Sequence, residues 1–355
     1  MPRLSLPARF AASLLMLAGF LTVAAPAADA AVPDRKGWAL WDQTAGAVVP
    51  TGTWPGGSTV VPVAFGRYQV KLVGQGAPQG VVHVTAINNA PHWCQAENWG
   101  VSGADEIINI ACYRVGGALD VSSFSVFFVR ASGGPAPGPY GYVDSPPSGG
   151  IISQYNSAGA PNTSTNLGVG QYQVKFPSLV AGGTLDGSLQ ATAVNPQQGA
   201  RCKVRNWVSS GSGQDVNVLC FNAVGALLNT RFTLTYQYKV SLYGAAIPPK
   251  YYGYFLNQPP AGPPSTNLNS VLGLGANTIL AAGTGLSLVT FPKIAFPQNT
   301  VQVTAYGSNS NFCGMNTFWF NMSSGPDLVV RDVNCFTNAG APVNTGFTIS
   351  ANSIL

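Results

Sequence analysis

Gly170-Gln171-Tyr172-Gln173-Val174-Lys175-Phe176-Pro177 alternates apolar and polar residues from Tyr172 onward. Period two marks a strand with one buried face: Tyr172, Val174 and Phe176 point one way, Gln173 and Lys175 the other. The stretch has a copy upstream, Gly66-Arg67-Tyr68-Gln69-Val70-Lys71-Leu72, and a weaker one downstream, Gly285-Leu286-Ser287-Leu288-Val289-Thr290-Phe291-Pro292. Each copy is followed by the same landmarks, and internal repetition sets the organisation of the chain.

The next landmark is a Thr-Ala strand: Val82-His83-Val84-Thr85-Ala86, Leu189-Gln190-Ala191-Thr192-Ala193 and Val301-Gln302-Val303-Thr304-Ala305. Then comes a Cys–Trp–Cys block. Cys94, Trp99 and Cys112 match Cys202, Trp207 and Cys220, both with spacings of 5 and 13; Cys313, Trp319 and Cys335 have spacings of 6 and 16. After the second Cys a Gly follows at +5 (Gly117, Gly225, Gly340) and a Phe at +12 (Phe124, Phe232, Phe347). Each repeat opens on aromatics: Trp38 and Trp41, Tyr140 and Tyr142, and Tyr251, Tyr252 and Tyr254. Spacers rich in Pro and Gly, Gly133 to Pro139 and Ala245 to Pro249, precede the second and third repeats. The repeats are thus expected at 31–134, 139–245 and 250–355, after an export signal over 1–30.

Strand pattern recurs within each repeat. Ile108, Ile110 and Cys112 share a face, as do Val216, Val218 and Cys220, and Arg231 to Tyr236 alternates too. No stretch after residue 30 has capped helical periodicity. The predicted fold is all-β: three tandem β-sandwich (immunoglobulin-like) repeats, each of about seven short strands. The other three-fold β architecture, a trefoil, would need far shorter repeats.

Arg3 and Arg9 precede the apolar run Ala11 to Ala25, and Ala28-Asp29-Ala30 offers a cleavage site. The run is short for a membrane anchor, which needs about 20 apolar residues. Export leaves 15 basic and 11 acidic residues, a net charge of +4. That is too mild and scattered for a nucleic-acid-binding stripe. Charged residues make up only 8% of the chain, so uncharged polar side chains must cover most of its surface.

Six Cys in an exported chain are expected to be oxidised. Each repeat owns one pair in equivalent places, which favours Cys94–Cys112, Cys202–Cys220 and Cys313–Cys335 over the other connectivities. Each bridge closes a loop worth about 3 kcal/mol of chain entropy. A metal reading lacks ligand spacing beyond His92-x-Cys94, so neither metal nor cofactor is expected.

Four residues peculiar to repeat 1 are candidate acid–base groups: His92, Glu97, Asp105 and Glu106. A disulfide-closed hairpin could gather them at one end, where they could bind a metal or move protons. His83 reads as a surface residue on the polar face of its strand. Arg201, Lys203 and Arg205 fall on one strand face at period two, a row suited to an acidic polymer or to solvent. Trp99, Trp207 and Trp319 recur and read as packing beside each disulfide. Trp38, Trp41, Trp54, Trp93, Tyr142 and Tyr254 are candidate exposed platforms for sugars, or else first strands packed into their sandwiches. No nucleophile elbow, phosphate loop or dinucleotide motif is present.

With Gly-x-Tyr-x-Val-x-Phe-Pro at Gly170, Val301 to Gly307, and Cys-Phe-x3-Gly…Phe, the chain resembles the uncharacterised secreted β-repeat proteins of actinobacteria. The resemblance spans nearly all of the chain after residue 30 and is weakest in repeat 1, which has Leu72-Val73 for Phe-Pro and Tyr113 for Phe. It implies export and repetition and carries over no catalytic residue.

The expected function is that of an extracellular binding or surface-interaction protein for a polysaccharide or cell-wall polymer. The alternatives are a polymer-degrading hydrolase or lyase with a site in repeat 1 or between repeats, and a structural or inhibitory module. No nucleic-acid partner and no membrane span are expected; nothing in the pattern fixes an oligomeric state.

Overall fold

The computed structural model describes residues 34–131, 138–245, 251–258, 264–321 and 326–354. Residues 1–30, expected as an export signal, and most of both spacers lie outside these. Repeat 1 forms β1 (Arg35–Asp42), β2 (Ala47–Val48), β3 (Thr59–Ala64), β4 (Arg67–Leu72), β5 (Val81–Ile87), β6 (His92–Ser102), β7 (Asp105–Arg114) and β8 (Ser123–Arg130). Repeat 2 forms β9 (Tyr140–Ser145), β10 (Ser153–Asn156), β11 (Thr163–Gly168), β12 (Gln171–Pro177), β13 (Ser188–Val194), β14 (Ala200–Ser210), β15 (Gly213–Asn222) and β16 (Arg231–Gln237). Repeat 3 forms β17 (Tyr252–Asn257), β18 (Asn267–Asn269), β19 (Gly273–Leu274), β20 (Thr278–Gly283), β21 (Leu286–Phe291), β22 (Asn299–Tyr306), β23 (Phe312–Met315), β24 (Phe320–Asn321), β25 (Leu328–Phe336) and β26 (Gly346–Ser353). Among the described residues there is no α-helix, and none long and apolar enough to cross a membrane.

Each repeat is a β-sandwich. In repeat 1 the layer β2-β1-β8-β5 packs over β3-β4-β7-β6 around Trp41, Tyr68, Val70, Val84, Ile108, Ile110 and Phe124. The expected inward faces are the buried ones: Tyr172, Val174 and Phe176 on β12, and Val216, Val218 and Cys220 on β15. The expected disulfides are the ones formed: Cys94–Cys112, Cys202–Cys220 and Cys313–Cys335 join directly opposed residues with Cα atoms 4.0, 4.1 and 4.1 Å apart.

The recurring landmarks have physical reasons. Gly66, Gly170 and Gly285 sit at φ of 68°, 65° and 70°, where glycine is favoured, and their carbonyls accept the N–H of Cys112, Cys220 and Cys335. A side chain there would collide with backbone: its Cβ would lie 2.5 Å from Cys220 O at Gly170 and 2.6 Å from Cys335 O at Gly285. Phe124 and Phe232 pack against Tyr68 and Tyr172, with ring centroids 5.1 and 4.8 Å apart.

The sandwiches do not lie in a row. Each of the three sheets is half one repeat and half another: β2-β1-β8-β5-β23-β25-β21-β20, β10-β9-β16-β13-β6-β7-β4-β3, and β11-β12-β15-β14-β22-β26-β17-β18-β19. The joints are equivalent parallel contacts, Ile87 with Met315, Val194 with Ala96 and Tyr306 with Val204. Repeat 1 therefore joins repeats 2 and 3, and those join each other. The result is a closed ring with a pseudo-threefold axis.

The three Thr-Ala strands β5, β13 and β22 line that axis and are buried along their whole length. One face of each enters its own sandwich. The other carries His83 and Thr85, Gln190 and Thr192, or Gln302 and Thr304, and meets its sisters. Hydrogen bonds run around the axis in one direction: Val84 N donates to Thr192 Oγ1 (3.2 Å), Ala191 N to Thr304 Oγ1 (2.9 Å) and Val303 N to Thr85 Oγ1 (2.9 Å). The hydroxyls close a second circuit, Thr85 to Gln302 at 3.0 Å, Thr304 to Gln190 at 2.8 Å, with Thr192 3.4 Å from His83 Nδ1. Such a core depends on these bonds, since each orphaned buried group costs about 1–3 kcal/mol, and among the axial glutamines Gln190 Nε2 is one such orphan.

Candidate functional site

The four candidate acid–base residues of repeat 1 do not assemble. β6 and β7 form one long hairpin in which His92 faces Arg114 and Ser102 faces Asp105. At about 3.4 Å per residue this puts His92 and Asp105 roughly 30 Å apart. The disulfide bridges the hairpin near its open end and leaves the turn far away. His92 Nε2 lies 3.2 Å from Asp120 Oδ2. Asp105 Oδ1 accepts Gly74 N at 2.8 Å, and Glu106 Oε2 accepts Ala77 N at 3.1 Å, so both pin the loop after β4. Among the described residues no three His, Cys, Asp or Glu gather as a metal site.

Glu106 is fully buried with Oε1 unpartnered, and burial pushes its carboxyl up to about 7. The equivalent residue in repeat 2 is neutral: Gln214, which donates to Leu179 O at 2.7 Å. A folded-state pKa above the unfolded one gives stability that is full at acid pH and lost as pH rises through 7. Glu106→Gln is therefore expected to stabilise the protein by about 2 kcal/mol at pH 8 and much less at pH 5, read by urea unfolding at both. Equal effects at the two pH values would contradict it.

The aromatic platforms are a second correction. Trp38, Trp41, Trp93, Tyr142 and Tyr254 are buried, and Trp54 is half-buried against Trp38. The ring brings the opening strand of one repeat against another. Trp38 and Phe127 pack with Tyr140, Tyr142 and Tyr243, so surfaces an isolated sandwich would expose are shared core. Trp207 and Trp319 are buried as expected, and Trp99 is half-buried.

The basic row is the third correction. A bulge between Val204 and Asn206 breaks the alternation of β14, so Arg205 is exposed while Arg201 and Lys203 face the interior. The equivalent bulge in β6, between Ala96 and Asn98, turns out Glu97. His83 is not on the surface either. It is 1% exposed, and burial lowers its pKa to about 3.

Bulging places Glu97 on an open cleft of about 470 Å³ where repeats 1 and 2 meet, a volume within the range of small-ligand sites. Its floor is set by the β13–β14 loop. Asn195 Oδ1 accepts the N–H groups of Gln197 and Gln198 (2.9 and 3.1 Å). From below, Gln95 Nε2 donates to Asn195 O (2.6 Å) and Gln198 O (2.9 Å), and Gln95 Oε1 accepts Ala200 N (2.6 Å). The backbone is thus held while the Gln197 and Gln198 side chains stay exposed.

Asn98 and Asn229 stand on the cleft with their oxygens committed, to Asn109 Nδ2 (2.7 Å) and to Gly170 N (2.8 Å). Their amide donors face solvent. Glu97 pairs with Arg67 at 3.2 Å, and burial still raises its carboxyl above the usual range. Arg231 grips Asp144 through two bonds of 2.8 and 2.7 Å and lies 4.3 Å from the Trp99 ring centre. The cleft sets carboxamide donors and acceptors beside the apolar Pro147, Val194 and Pro196 on a rigid base, a mixture that suits ligands with both hydroxyls and apolar ring faces. Of the sequence candidates only Glu97 lies in it. Gln197, Gln198 and Asn229 carried no signal beyond falling in a Pro-Gln-Gln and an Asn-Thr turn.

Comparisons with protein-family models, with curated proteins and with solved structures find no match to this chain.

Proposed function

We propose that this is an exported binding protein that holds a polysaccharide or cell-wall polymer, without turning it over, in the cleft between repeats 1 and 2. The observation that carries the reading is the carboxamide rim of Asn98, Gln197, Gln198 and Asn229 around Glu97 and Arg231, on backbone immobilised by Gln95. Export is supported by the signal-like segment 1–30 and by three disulfides, which persist in oxidising compartments.

Affinity electrophoresis against a panel of neutral and acidic polysaccharides and cell-wall fractions tests it. At least one polymer is expected to retard the native protein, and Gln197→Ala with Asn229→Ala to weaken that retardation about tenfold, equivalent to ~1.4 kcal/mol. No retardation of folded protein by any polymer, or a double variant as retarded as the parent, sinks the idea. The hydrolase reading narrows to Glu97, whose carboxyl is raised and which sits in the cleft. Release of reducing ends that disappears in Glu97→Gln would favour it over binding alone.

A further inference from the structure

The inner face of β14 carries two cations where its sister strands carry none. Counted from the first Cys of each repeat, Arg201 replaces Trp93 and Phe312, and Lys203 replaces Gln95 and Gly314. The neutral copies show what the scaffold itself requires at these positions. Trp93 and Phe312 stack on the neighbouring rings Tyr113 and Phe336, and Gln95 ties repeat 1 to the loop of repeat 2. Lys203 makes the corresponding reach into repeat 3, donating from Nζ to Asn309 Oδ1 (3.0 Å) and Asn311 O (3.2 Å). A glutamine makes that tie in repeat 1, so the charge is surplus to it.

Arg201 is likewise more than a packing residue. Its guanidinium lies between the Trp93 and Phe312 rings, 4.6 and 4.5 Å from their centres. Nη2 donates to Asn222 O and Asn338 Oδ1. Nε and Nη1 are buried with no acceptor. Arg201 is 8% exposed and Lys203 3%, and among the described residues neither has a carboxylate in ion-pair range. Burial lowers the Lys203 ammonium to about 7, with Arg201 adding repulsion. Two adjacent desolvated cations without counter-charge are costly, and a protein normally pairs them.

Both line a cavity of about 50 Å³ near the axis, beside the disulfides, with Thr192, Thr304, Ser310 and Asn311. That is room for a few waters or one small ion, at roughly 10–15 Å³ each. We propose that this axial cavity binds one small monovalent anion, a halide or a carboxylate group, held by the free Nε and Nη1 of Arg201 with Lys203 as the second charge. The site does not rest on the polysaccharide reading.

The test uses the full mature chain at constant ionic strength, with sodium gluconate, too large for the cavity, replaced stepwise by sodium bromide or sodium acetate. The melting temperature is expected to rise saturably by several degrees with one of the two, which also tells halide from carboxylate. The response should be lost in Arg201→Phe/Lys203→Gln, residues the sister strands already use. A flat melting temperature in both salts, or a double variant that responds like the parent, overturns the proposal. Should that variant not fold, bromide-soaked crystals of the parent decide for the halide arm and acetate-soaked crystals for the carboxylate arm. An ion in contact with Arg201 supports the site, and ions only elsewhere on the molecule refute it.

Discussion

Calorimetry of residues 31–355 is expected to show one cooperative transition rather than three, and residues 31–134 alone are expected not to fold. The reason is the shared sheets. Cutting repeat 1 free removes β23 from the edge of β5 and β13 from the edge of β6. It also bares the axial face of β5, where Val84 N loses Thr192, His83 loses Thr235 and Thr85 loses Gln302. Trp38, Val81 and Phe127 lose Tyr140, Tyr142, Leu242 and Tyr243. Burying a single large apolar side chain is worth about 1.5–3 kcal/mol, while a domain has only about 5–15 kcal/mol to lose. The deficit exceeds what one disulfide of about 3 kcal/mol supplies. Circular dichroism and amide dispersion of the isolated repeat check this. A cooperative melt of residues 31–134 with native-like dispersion would show that the sandwiches are autonomous after all.

What the sequence made legible was whatever a single sandwich decides. Alternation in β12 and β15 found the inward faces, and equal Cys spacing found the disulfides. Everything decided by the ring was hidden. Period two separates two faces of a strand but does not say that both are buried, so His83, on the polar face of its strand, read as a surface residue. A signal did exist. Thr85, Thr192 and Thr304 recur at one position, and a merely solvated face has no need to repeat the same hydroxyl. The aromatics misled for the matching reason: an opening strand rich in Trp or Tyr looks spare until a second repeat covers it. Bulges escaped as well, which is why Arg205 was grouped with Arg201 and Lys203, and why Glu97 gave no hint that it turns out into a cleft.

Replacing His83 with Gln is expected to remove most of the protein's sensitivity to mild acid that arises at the axis. His83 is the odd member of its ring, since Gln190 and Gln302 fill the same place. Its Nε2 lies 2.7 Å from Thr235 Oγ1 and its Nδ1 3.4 Å from Thr192 Oγ1, contacts that a neutral ring with the proton on Nε2 satisfies. The imidazole also stacks on Phe127 at 6.4 Å between ring centres. No carboxylate makes an ion pair with it among the described residues, and burial lowers its pKa from 6.5 to about 3. The unfolded chain therefore takes up a proton first as pH falls below 6.5. Stability is fully present above that value, declines down to about pH 3 and is flat below. At up to about 1.4 kcal/mol per pH unit, the loss by pH 4 is about 3 kcal/mol. A glutamine carboxamide can accept from Thr192 and donate to Thr235 without titrating. Urea unfolding of the parent and His83→Gln should thus give stabilities within about 1 kcal/mol of each other at pH 7.5 and diverge by about 3 kcal/mol in favour of the variant at pH 4. Titrating carboxylates, including Glu106 and Glu97, are common to both proteins and cancel in the difference. Parallel pH profiles would mean that His83 either binds its proton in the folded state or is reached by water, and that the axial core is not the dry environment its burial describes.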